Sequence, residues 1–302
     1  MTINQQFDVI ITGGSYAGLS AAMALGRAFK HVLVIDNDDP CNKQTPHSHN
    51  FLTNDGKTPA EIAANARLQV QAYDTVQFFP GLTVSGRQTA DGFLIETDTG
   101  EAFTAPKLIF ATGIKDMLPD IAGASDCWGI SLIHCPYCHG YEVKNEKTGV
   151  LANGDMGFDF ARLIFNWTSD LTLYTNGTST FTLAQMEQLQ RRQIPVIEKK
   201  IVALEHNRGH IEHIRFADGD TTAVKAMYAP SPFEQKCRIP ESLGCELSEE
   251  GYIKVDAFQQ TTIPGVYAIG DAAAKMRTIA NAVSTGTWAG MSISKKMILE
   301  GF

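Results

Sequence analysis

The sequence predicts an α/β protein in which two parallel-sheet domains share one chain, the second inserted into the first. Two observations carry this prediction. A strand, a glycine turn, a helix and a second strand open the chain, and a similar pattern restarts near residue 148. Such units predict parallel sheets, because two parallel strands need a crossover helix between them.

Each element follows from its apolar pattern. Continuous apolar runs of four to eight residues are typical of strands buried on both faces, and longer Ala-rich stretches favour helices. The predicted elements are strands at Phe7–Ile11, Val32–Ile35, Val150–Ala152, Leu171–Tyr174 and Val266–Ile269, helices at about Tyr16–Phe29, Phe158–Trp167 and Ile279–Leu299, and antiparallel hairpins over about 201–228.

The composition limits the classes of function. The chain has 302 residues, 44% hydrophobic and 19% charged, which is typical of a globular protein. Its net charge of −8 argues against nucleic acid or an anionic membrane as a partner. No apolar run approaches the roughly 20 residues of a membrane span, and the N-terminus lacks the pattern of a signal peptide. We therefore expect a cytoplasmic protein.

The first glycine turn, residues 13–18, reads GGSYAG, which is GxGxxG with Ser15 at the second glycine. In this pattern Gly13 permits the tight turn and Gly18 lets the helix approach the strand, so that the helix N-terminus faces a pyrophosphate. Asp36 ends the next strand, where a carboxylate accepts hydrogen bonds from an adenosine ribose. The turn therefore predicts a dinucleotide site, the alternative being a tight turn in an ordinary α/β protein.

Four motifs together carry a family resemblance: the first glycine turn, Ala111-Thr112-Gly113, the pair Cys135 and Cys138, and TTIPGVYAIGD at residues 261–271. In this order, and over nearly the whole chain, they resemble the low-molecular-weight thioredoxin reductases, which are FAD-dependent disulfide oxidoreductases. The resemblance implies two Rossmann-like three-layer domains, bound FAD and a homodimer. It places the FAD domain at residues 1–115 and 247–302, and the insert with the cysteines at 116–246.

The resemblance also implies the FAD contacts. The carboxylate matching Asp271 binds the ribityl and pyrophosphate portion, and the segment matching Arg277-Thr278-Ile279 lies beside the flavin ring. Asn50 matches a flavin-contacting Asn, the alternative being a loop Asn that caps a turn. The residues expected to contact FAD are Gly13, Gly14, Ser15, Ala17, Gly18, Asp36, Asn42, Gln44, Asn50, Val84, Ala111, Thr112, Gly113, Gly270, Asp271, Arg277, Thr278 and Ile279.

The cysteine pair lies in His134-Cys135-Pro136-Tyr137-Cys138-His139. Proline favours the first turn of a helix, which places the thiols at a helix N-terminus where the dipole stabilises a thiolate. A zinc site is an alternative interpretation of these residues. However, the adjacent Cys138 and His139 fit one tetrahedral site poorly, and no second CxxC follows. We expect redox chemistry and no metal, with inert thiols as the remaining alternative.

The resemblance assigns the roles within this segment. The cysteine matching Cys138 exchanges electrons with the flavin, and the one matching Cys135 reacts with the substrate. Most of these reductases have an Asp after the second cysteine as proton donor and acceptor, whereas this chain has His139. That change is similar to a subgroup that includes the gliotoxin-type dithiol oxidases. An imidazole titrates near neutrality and serves as an acid–base group, the alternative being a helix-end His without a proton role.

The second glycine turn departs from the pattern of an NADPH site. We align Asn153 with the first glycine, Asp155 with the second and Phe158 with the small third residue. Residues 174–180, which follow the next strand, contain no Arg or Lys that would hold a 2′-phosphate. We therefore expect NAD(P)H to be a poor donor.

Together these features predict an FAD-dependent dithiol/disulfide oxidoreductase that passes two electrons between a substrate thiol pair and FAD through Cys135 and Cys138. The substrate is expected to be a thioredoxin-like small protein or a small-molecule dithiol or disulfide, with ferredoxin or oxygen as a further redox partner. One alternative is an NADPH-dependent thioredoxin reductase. Another is a non-catalytic flavin-binding redox sensor, against which the acid–base His139 argues, because a sensor needs no proton relay.

Overall fold

The computed structural model describes residues 3–302, so the first two residues of the predicted FAD domain lie outside the described range. The strands are β1 (Ile3–Gln6), β2 (Val9–Thr12), β3 (Val32–Asp36), β4 (Val76–Pro80), β5 (Thr83–Thr89), β6 (Gly92–Thr97), β7 (Ala102–Ala105), β8 (Lys107–Phe110), β9 (Ile114–Asp116), β10 (Leu132–Ile133), β11 (Thr148–Leu151), β12 (Leu171–Tyr174), β13 (Val196–Ile197), β14 (Ile201–Asn207), β15 (His210–Phe216), β16 (Thr221–Ala223), β17 (Ala226–Tyr228), β18 (Phe233–Gln235) and β19 (Val266–Ala268). The helices are α1 (Tyr16–Arg27), α2 (Pro59–Gln71), α3 (Ala124–Cys127), α4 (Pro136–His139), α5 (Gly154–Ile164), α6 (Leu183–Arg191), α7 (Ile239–Ser242) and α8 (Ile279–Glu300), with a 3₁₀ turn at Gly270–Ala272.

The chain divides into two compact units. The first unit contains Met1–Lys43, Phe51–Lys115 and Phe233–Phe302, and the second contains Gln44–Asn50 and Asp116–Pro232. The domain boundaries drawn from the sequence at 115/116 and 246/247 stay predictions. The compact first unit extends back to residue 233, and a short segment of the N-terminal part groups with the second unit.

In the first unit, a five-stranded parallel sheet has the order β19-β8-β2-β3-β4. Helices α1 and α8 cover one face, where Ala22, Leu25 and Ile293 are fully buried. Two glycines of α8 let the helices approach closely: a Cβ at Gly290 would lie 2.7 Å from the carbonyl oxygen of Ala21 in α1. This contact packs α1 and α8 tightly against each other.

A second sheet, in the order β1-β7-β6-β5, covers the other face. Ile10 and Leu33 of the parallel sheet pack in one core with Phe93, Ile95 and Phe103 of this second sheet. The first unit therefore has three layers, as predicted.

The second unit also has a parallel sheet, in the order β10-β17-β11-β12-β13, and a separate antiparallel sheet β14-β15-β16. The prediction of hairpins over residues 201–228 is right for β14–β16 and wrong for β17, which pairs in parallel with β11. β17 is buried on both faces, so its three apolar residues carry no alternation that would have separated it from a hairpin strand.

Two further comparisons with the predictions concern helices. The α/β class and the terminal helix are confirmed, whereas α5 begins at Gly154 and not near Phe158. Asn153 caps this helix, and its side chain accepts a hydrogen bond from the Gly154 N–H. Within residues 3–302 no helix is both long and apolar enough to cross a membrane, and the cytoplasmic location stays a prediction.

Candidate active site

The first glycine turn joins β2 to α1 in the predicted geometry. Gly13 has φ of +102°, and a side chain there would overlap the backbone of Ala111. A Cβ at Gly18 would overlap the carbonyl oxygen of Gly13. Ser15 is the N-cap of α1, and its side chain makes no capping hydrogen bond. The backbone N–H groups at the start of α1 are therefore not capped by Ser15, as an anion site requires.

Asp36 ends β3 beside this turn. Its Oδ1 accepts a hydrogen bond of 2.9 Å from the Gly14 N–H. This bond fixes the carboxylate next to the turn, and the binding of a ribose by Asp36 stays a prediction. The neighbouring Asp39 binds Lys236 at 2.6 Å, and hydrogen bonds from Lys236 and Lys43 lower the pKa of Asp39 to about 2.

The carboxyl ends of β8 and β19 supply further polar groups to the same unit. Among the described residues, the hydroxyl oxygen of Thr112 is buried without a hydrogen-bond partner, and Gly113 has φ of +65°. The Arg277 Nε lies 3.9 Å from Asp271 Oδ2, with both side chains largely buried. Thr278 caps α8 by accepting from the Asn281 N–H at 3.1 Å. An uncapped helix N-terminus, an adjacent carboxylate and a buried hydroxyl without a partner fit a dinucleotide such as FAD.

The remaining predicted FAD contacts divide between the two units. Asn42 lies near the start of α1, because its Nδ2 is 3.5 Å from the Tyr16 hydroxyl oxygen. Val84 lies on β5 of the second sheet and is half exposed. Gln44 and Asn50 belong to the segment that groups with the second unit, and Asn50 has φ of +58°. The contacts of these four residues with FAD stay predictions.

Cys135 and Cys138 form a disulfide across the short helix α4, with their Cα atoms 5.3 Å apart. Cys135 is the N-cap and Pro136 the first helical residue, as predicted. Tyr137, between the cysteines, is 63% exposed, and its ring packs edge-to-face with that of Trp167, with ring centroids 5.4 Å apart. Within residues 3–302 no group of three His, Cys, Asp or Glu side chains is arranged to hold a metal ion.

His139 closes α4 one residue after Cys138. Burial lowers the pKa of His139, the charge of Glu142 opposes this, and the neighbouring His49 lowers it further. A neutral imidazole is a proton acceptor, so this environment suits a base. His134, on the other side of the pair, stacks on Trp128 at 5.6 Å.

The structure corrects the alignment of the second glycine turn. β2 ends at Thr12, directly before Gly13, and β11 ends at Leu151, directly before Ala152. A Cβ at Gly157 would lie 2.9 Å from the carbonyl of Ala152, which is the same helix–strand approach as that of Gly18 to Gly13. The pattern is therefore Ala152, Gly154 and Gly157. The assignment of Asn153, Asp155 and Phe158 to the three small positions is wrong by one residue, and the backbone shape of the turn is kept.

The polar groups around this turn nevertheless differ from those of the first. Asn153 Oδ1 accepts from the N–H groups of Gly154 at 2.8 Å and Thr180 at 2.9 Å, and its Nδ2 donates to the Thr178 carbonyl at 2.9 Å. Asp155 lies in the first helical turn, where its Oδ1 accepts from Gln185 at 2.8 Å. The loop after β12 is thus tied to the N-cap.

Sequence reasoning missed two residues near His139. Neither His49 nor Glu142 is among the site residues expected from the sequence. The His49 Nε2 lies 3.5 Å from Glu142 Oε1. The sequence places Glu142 three residues after His139, and the structure places it in the turn that follows the end of α4 at His139.

The comparisons with known proteins agree with this geometry. The model of the pyridine nucleotide-disulphide oxidoreductase family matches residues 7–286. The chain is 33% identical to the thioredoxin reductase tcpT of Claviceps purpurea, over 99% of this chain and 97% of that protein. It is 29% identical to the thioredoxin reductase aclD of Aspergillus oryzae, over 97% of each chain.

A solved structure extends the comparison. An oxidoreductase from Agrobacterium tumefaciens superposes with a TM-score of 0.91 at 37% identity, over 98% of this chain and 99% of that one. The fold, the thioredoxin-reductase-like motifs and FAD as cofactor are thereby confirmed. The chain belongs to the pyridine nucleotide-disulphide oxidoreductases, as a thioredoxin-reductase-like flavoprotein that acts on sulfur groups.

Proposed function

We propose that the protein passes two electrons between a substrate thiol pair and FAD through Cys135 and Cys138, without efficient use of NAD(P)H. The observation that carries the proposal is a contrast: the redox disulfide and His139 are intact, whereas the second glycine turn presents Asp155 and an Asn153 cap to a nucleotide. A thioredoxin-like protein and a small-molecule dithiol both fit as substrate. The fungal relatives named as thioredoxin reductases support a substrate of this kind.

A substrate dithiol would be oxidised by thiol–disulfide exchange with the Cys135–Cys138 disulfide. One substrate thiolate attacks the sulfur of Cys135, the Cys135–Cys138 bond breaks, and Cys138 leaves as a thiolate. The second substrate thiolate then attacks the mixed disulfide and releases Cys135 with the substrate disulfide. His139 takes a thiol proton as a base. Bound FAD would accept the two electrons of the reduced Cys135/Cys138 pair, so that their disulfide forms again, and oxygen would take these electrons on and leave as hydrogen peroxide. In the opposite direction, two equivalents of a one-electron carrier such as reduced ferredoxin would supply them.

Because the backbone shape of the second turn is kept, poor binding of NAD(P)H would follow from the charges around the turn and from the capping of its helix. Residues 174–180 contain no Arg or Lys, so no cation meets a 2′-phosphate there. Losing two charge-assisted hydrogen bonds of ~1.5–3 kcal/mol each lowers affinity on the order of 10²–10⁴-fold. Asp155 adds a negative charge at the helix N-terminus that would receive the pyrophosphate.

Anaerobic titration of the flavin tests the proposal. We expect a dithiol to reduce the flavin through the cysteine pair, and the Cys135→Ser variant to abolish this reduction. NADH, NADPH and reduced ferredoxin are each added to a separate sample. Efficient reduction by NADPH would support the alternative of an ordinary thioredoxin reductase. A flavin that no dithiol reduces would instead support a non-catalytic sensor.

The first unit also supports the proposal of a homodimer. A wide groove between α1, α2 and α8 is lined by apolar side chains, and Trp288, Met291 and Leu299 are exposed in it. Exposed apolar surface of this kind is typical of a protein interface. In sedimentation analysis we expect a dimer that Met291→Glu converts to monomer. Leu183→Glu, which adds a charge at an exposed apolar residue of the second unit, should leave the dimer unchanged.

A further inference from the structure

The loop that follows β3 concentrates negative charge beside the first glycine turn. Residues 36–39 read Asp-Asn-Asp-Asp, so three carboxylates lie within four positions at the end of β3. Asp38 has φ of +55°, in the left-handed region that is unfavourable for most residues with a side chain. FAD carries a negatively charged pyrophosphate, so its binding here requires that the loop is held in place and that its charge is balanced.

Lys236 binds this loop from a distant part of the chain. Its Nζ donates to Asp39 Oδ2 at 2.6 Å and also to the main-chain carbonyl oxygen of Asp39. Lys43, within the loop, donates to Asp39 Oδ1 at 2.6 Å. Hydrogen bonds from Lys236 and then Lys43 lower the pKa of Asp39 to about 2, so the carboxylate is ionised and paired at neutral pH.

The main chain of Lys236 is fixed beside a second segment that is expected to contact FAD. Lys236 directly follows β18, which pairs with β9. Its main-chain nitrogen lies 3.5 Å from the carbonyl oxygen of Gly113, the residue before β9. All of these residues belong to the first unit. One lysine therefore joins two loops that follow parallel strands β3 and β8, at the edge where such a sheet binds its ligand.

We propose that Lys236 is a positioning residue for FAD, tying residues 37–43 to the chain beside Gly113 so that Asp36 and the first glycine turn keep the arrangement that retains the cofactor. Asp36 Oδ1 accepts from the Gly14 N–H at 2.9 Å, so a displacement of the loop also acts on the turn. Retention of FAD is separate from the electron route proposed above, because either direction of electron flow requires it.

The test is the rate at which the FAD-loaded protein releases its cofactor after dilution, with the released flavin separated by filtration and measured by absorbance. Lys236→Met has a similar length but no donor, and it should release FAD about 2- to 5-fold faster, the value of a partly exposed charged contact. Lys236→Arg retains the cation and should release FAD at close to the wild-type rate. Lys254→Met is the matched control, because it removes another Lys–carboxylate contact of the first unit, to Glu246 at 3.0 Å.

A second variant tests the contact from its other end. Asp39→Ala removes the carboxylate that both lysines bind, so it should also release FAD faster. If the two residues act through one contact, adding Lys236→Met to Asp39→Ala should have a smaller effect than Lys236→Met has alone. Circular dichroism shows whether each variant is folded, and if Lys236→Met does not fold, the release rate of Asp39→Ala decides.

Three results would overturn the inference. The first is wild-type release in Lys236→Met or, where that variant does not fold, in Asp39→Ala. The second is equal acceleration in the Lys254→Met control, which would mean that any lost ion pair of the unit loosens FAD. The third is full additivity in the double variant, which would mean that Lys236 and Asp39 act independently.

Discussion

The two glycine turns of this chain share one backbone shape and present different chemistry. Gly18 approaches Gly13 as Gly157 approaches Ala152, so both helices start close against their strands. In the first turn the N-cap Ser15 makes no capping bond and no acidic residue follows in the first helical turn. In the second, Asn153 caps the helix and Asp155 lies in its first turn.

The comparison teaches that the fold of a nucleotide site survives the loss of its charge pattern. Glycine spacing is a requirement of helix–strand packing, because a Cβ would meet backbone atoms. Anion binding needs something further: N–H groups left open and cations nearby. We infer that the second turn keeps the close helix–strand packing and has lost the capacity to bind an anion. Its unit still carries the redox cysteines.

The largest expected effect tests the first turn. Gly18→Val should abolish FAD binding, because its Cβ would overlap the Gly13 carbonyl and push α1 away from β2. The measurement is the flavin content of the purified protein, with circular dichroism to monitor folding. Ser15→Ala is the control, and it should retain FAD because only its backbone is needed. Full flavin content in Gly18→Val would contradict this account of the turn.

The next largest effect is expected at the cysteine pair, which the second unit carries. Cys135→Ser and Cys138→Ser should both lose dithiol turnover, because the disulfide cannot form. They should differ in colour: by the family resemblance, the thiolate of Cys138 faces the flavin, so only Cys135→Ser should show a long-wavelength charge-transfer band at neutral pH. Cys138→Ser should instead form stable mixed disulfides with substrate. A band in Cys138→Ser would reverse the two roles.

The smallest expected effect sharpens the comparison between the turns. Asp155→Asn removes the negative charge while its remaining oxygen still accepts from Gln185, and Thr178→Arg adds a cation to an exposed loop position. The double variant should be reduced by NADPH about 10- to 100-fold faster, the value of one charge-assisted bond. Arg is not placed at Asn176, whose side chain accepts from the Ile201 N–H at 2.8 Å.

A matched control accompanies this variant. Asp159→Asn neutralises another carboxylate of the same helix, one that pairs with Arg162 at 3.3 Å beyond the first turn. The dipole effect is confined to the helix end, so this change should leave the NADPH rate as it is. Equal gains from both variants would mean that overall charge, rather than the turn, limits the reaction.

The sequence predicted the first unit better than the second for a physical reason. In the first turn only one alignment of the glycines is possible, whereas the segment from Ala152 to Phe158 permits two, and only the close approach of Gly157 to the Ala152 carbonyl decides between them. Helix α2 was missed although Thr58 and Glu61 form a capping box that the sequence displays.

Contacts between segments that are far apart in the sequence cannot be predicted from local patterns. Nothing in the residues around His49 indicates that this side chain meets Glu142, because the contact depends on where the segment Gln44–Asn50 packs. Polar patterning predicts which residues are available for chemistry, and packing decides which of them meet.

We propose that the second turn no longer serves NAD(P)H. Rapid mixing of the oxidised protein with NADPH under argon tests it most directly, with flavin absorbance as the readout. We predict that the flavin stays oxidised at micromolar NADPH, while a dithiol or reduced ferredoxin bleaches it in parallel samples. Bleaching by NADPH within milliseconds would contradict the account and would identify an ordinary NADPH-dependent thioredoxin reductase.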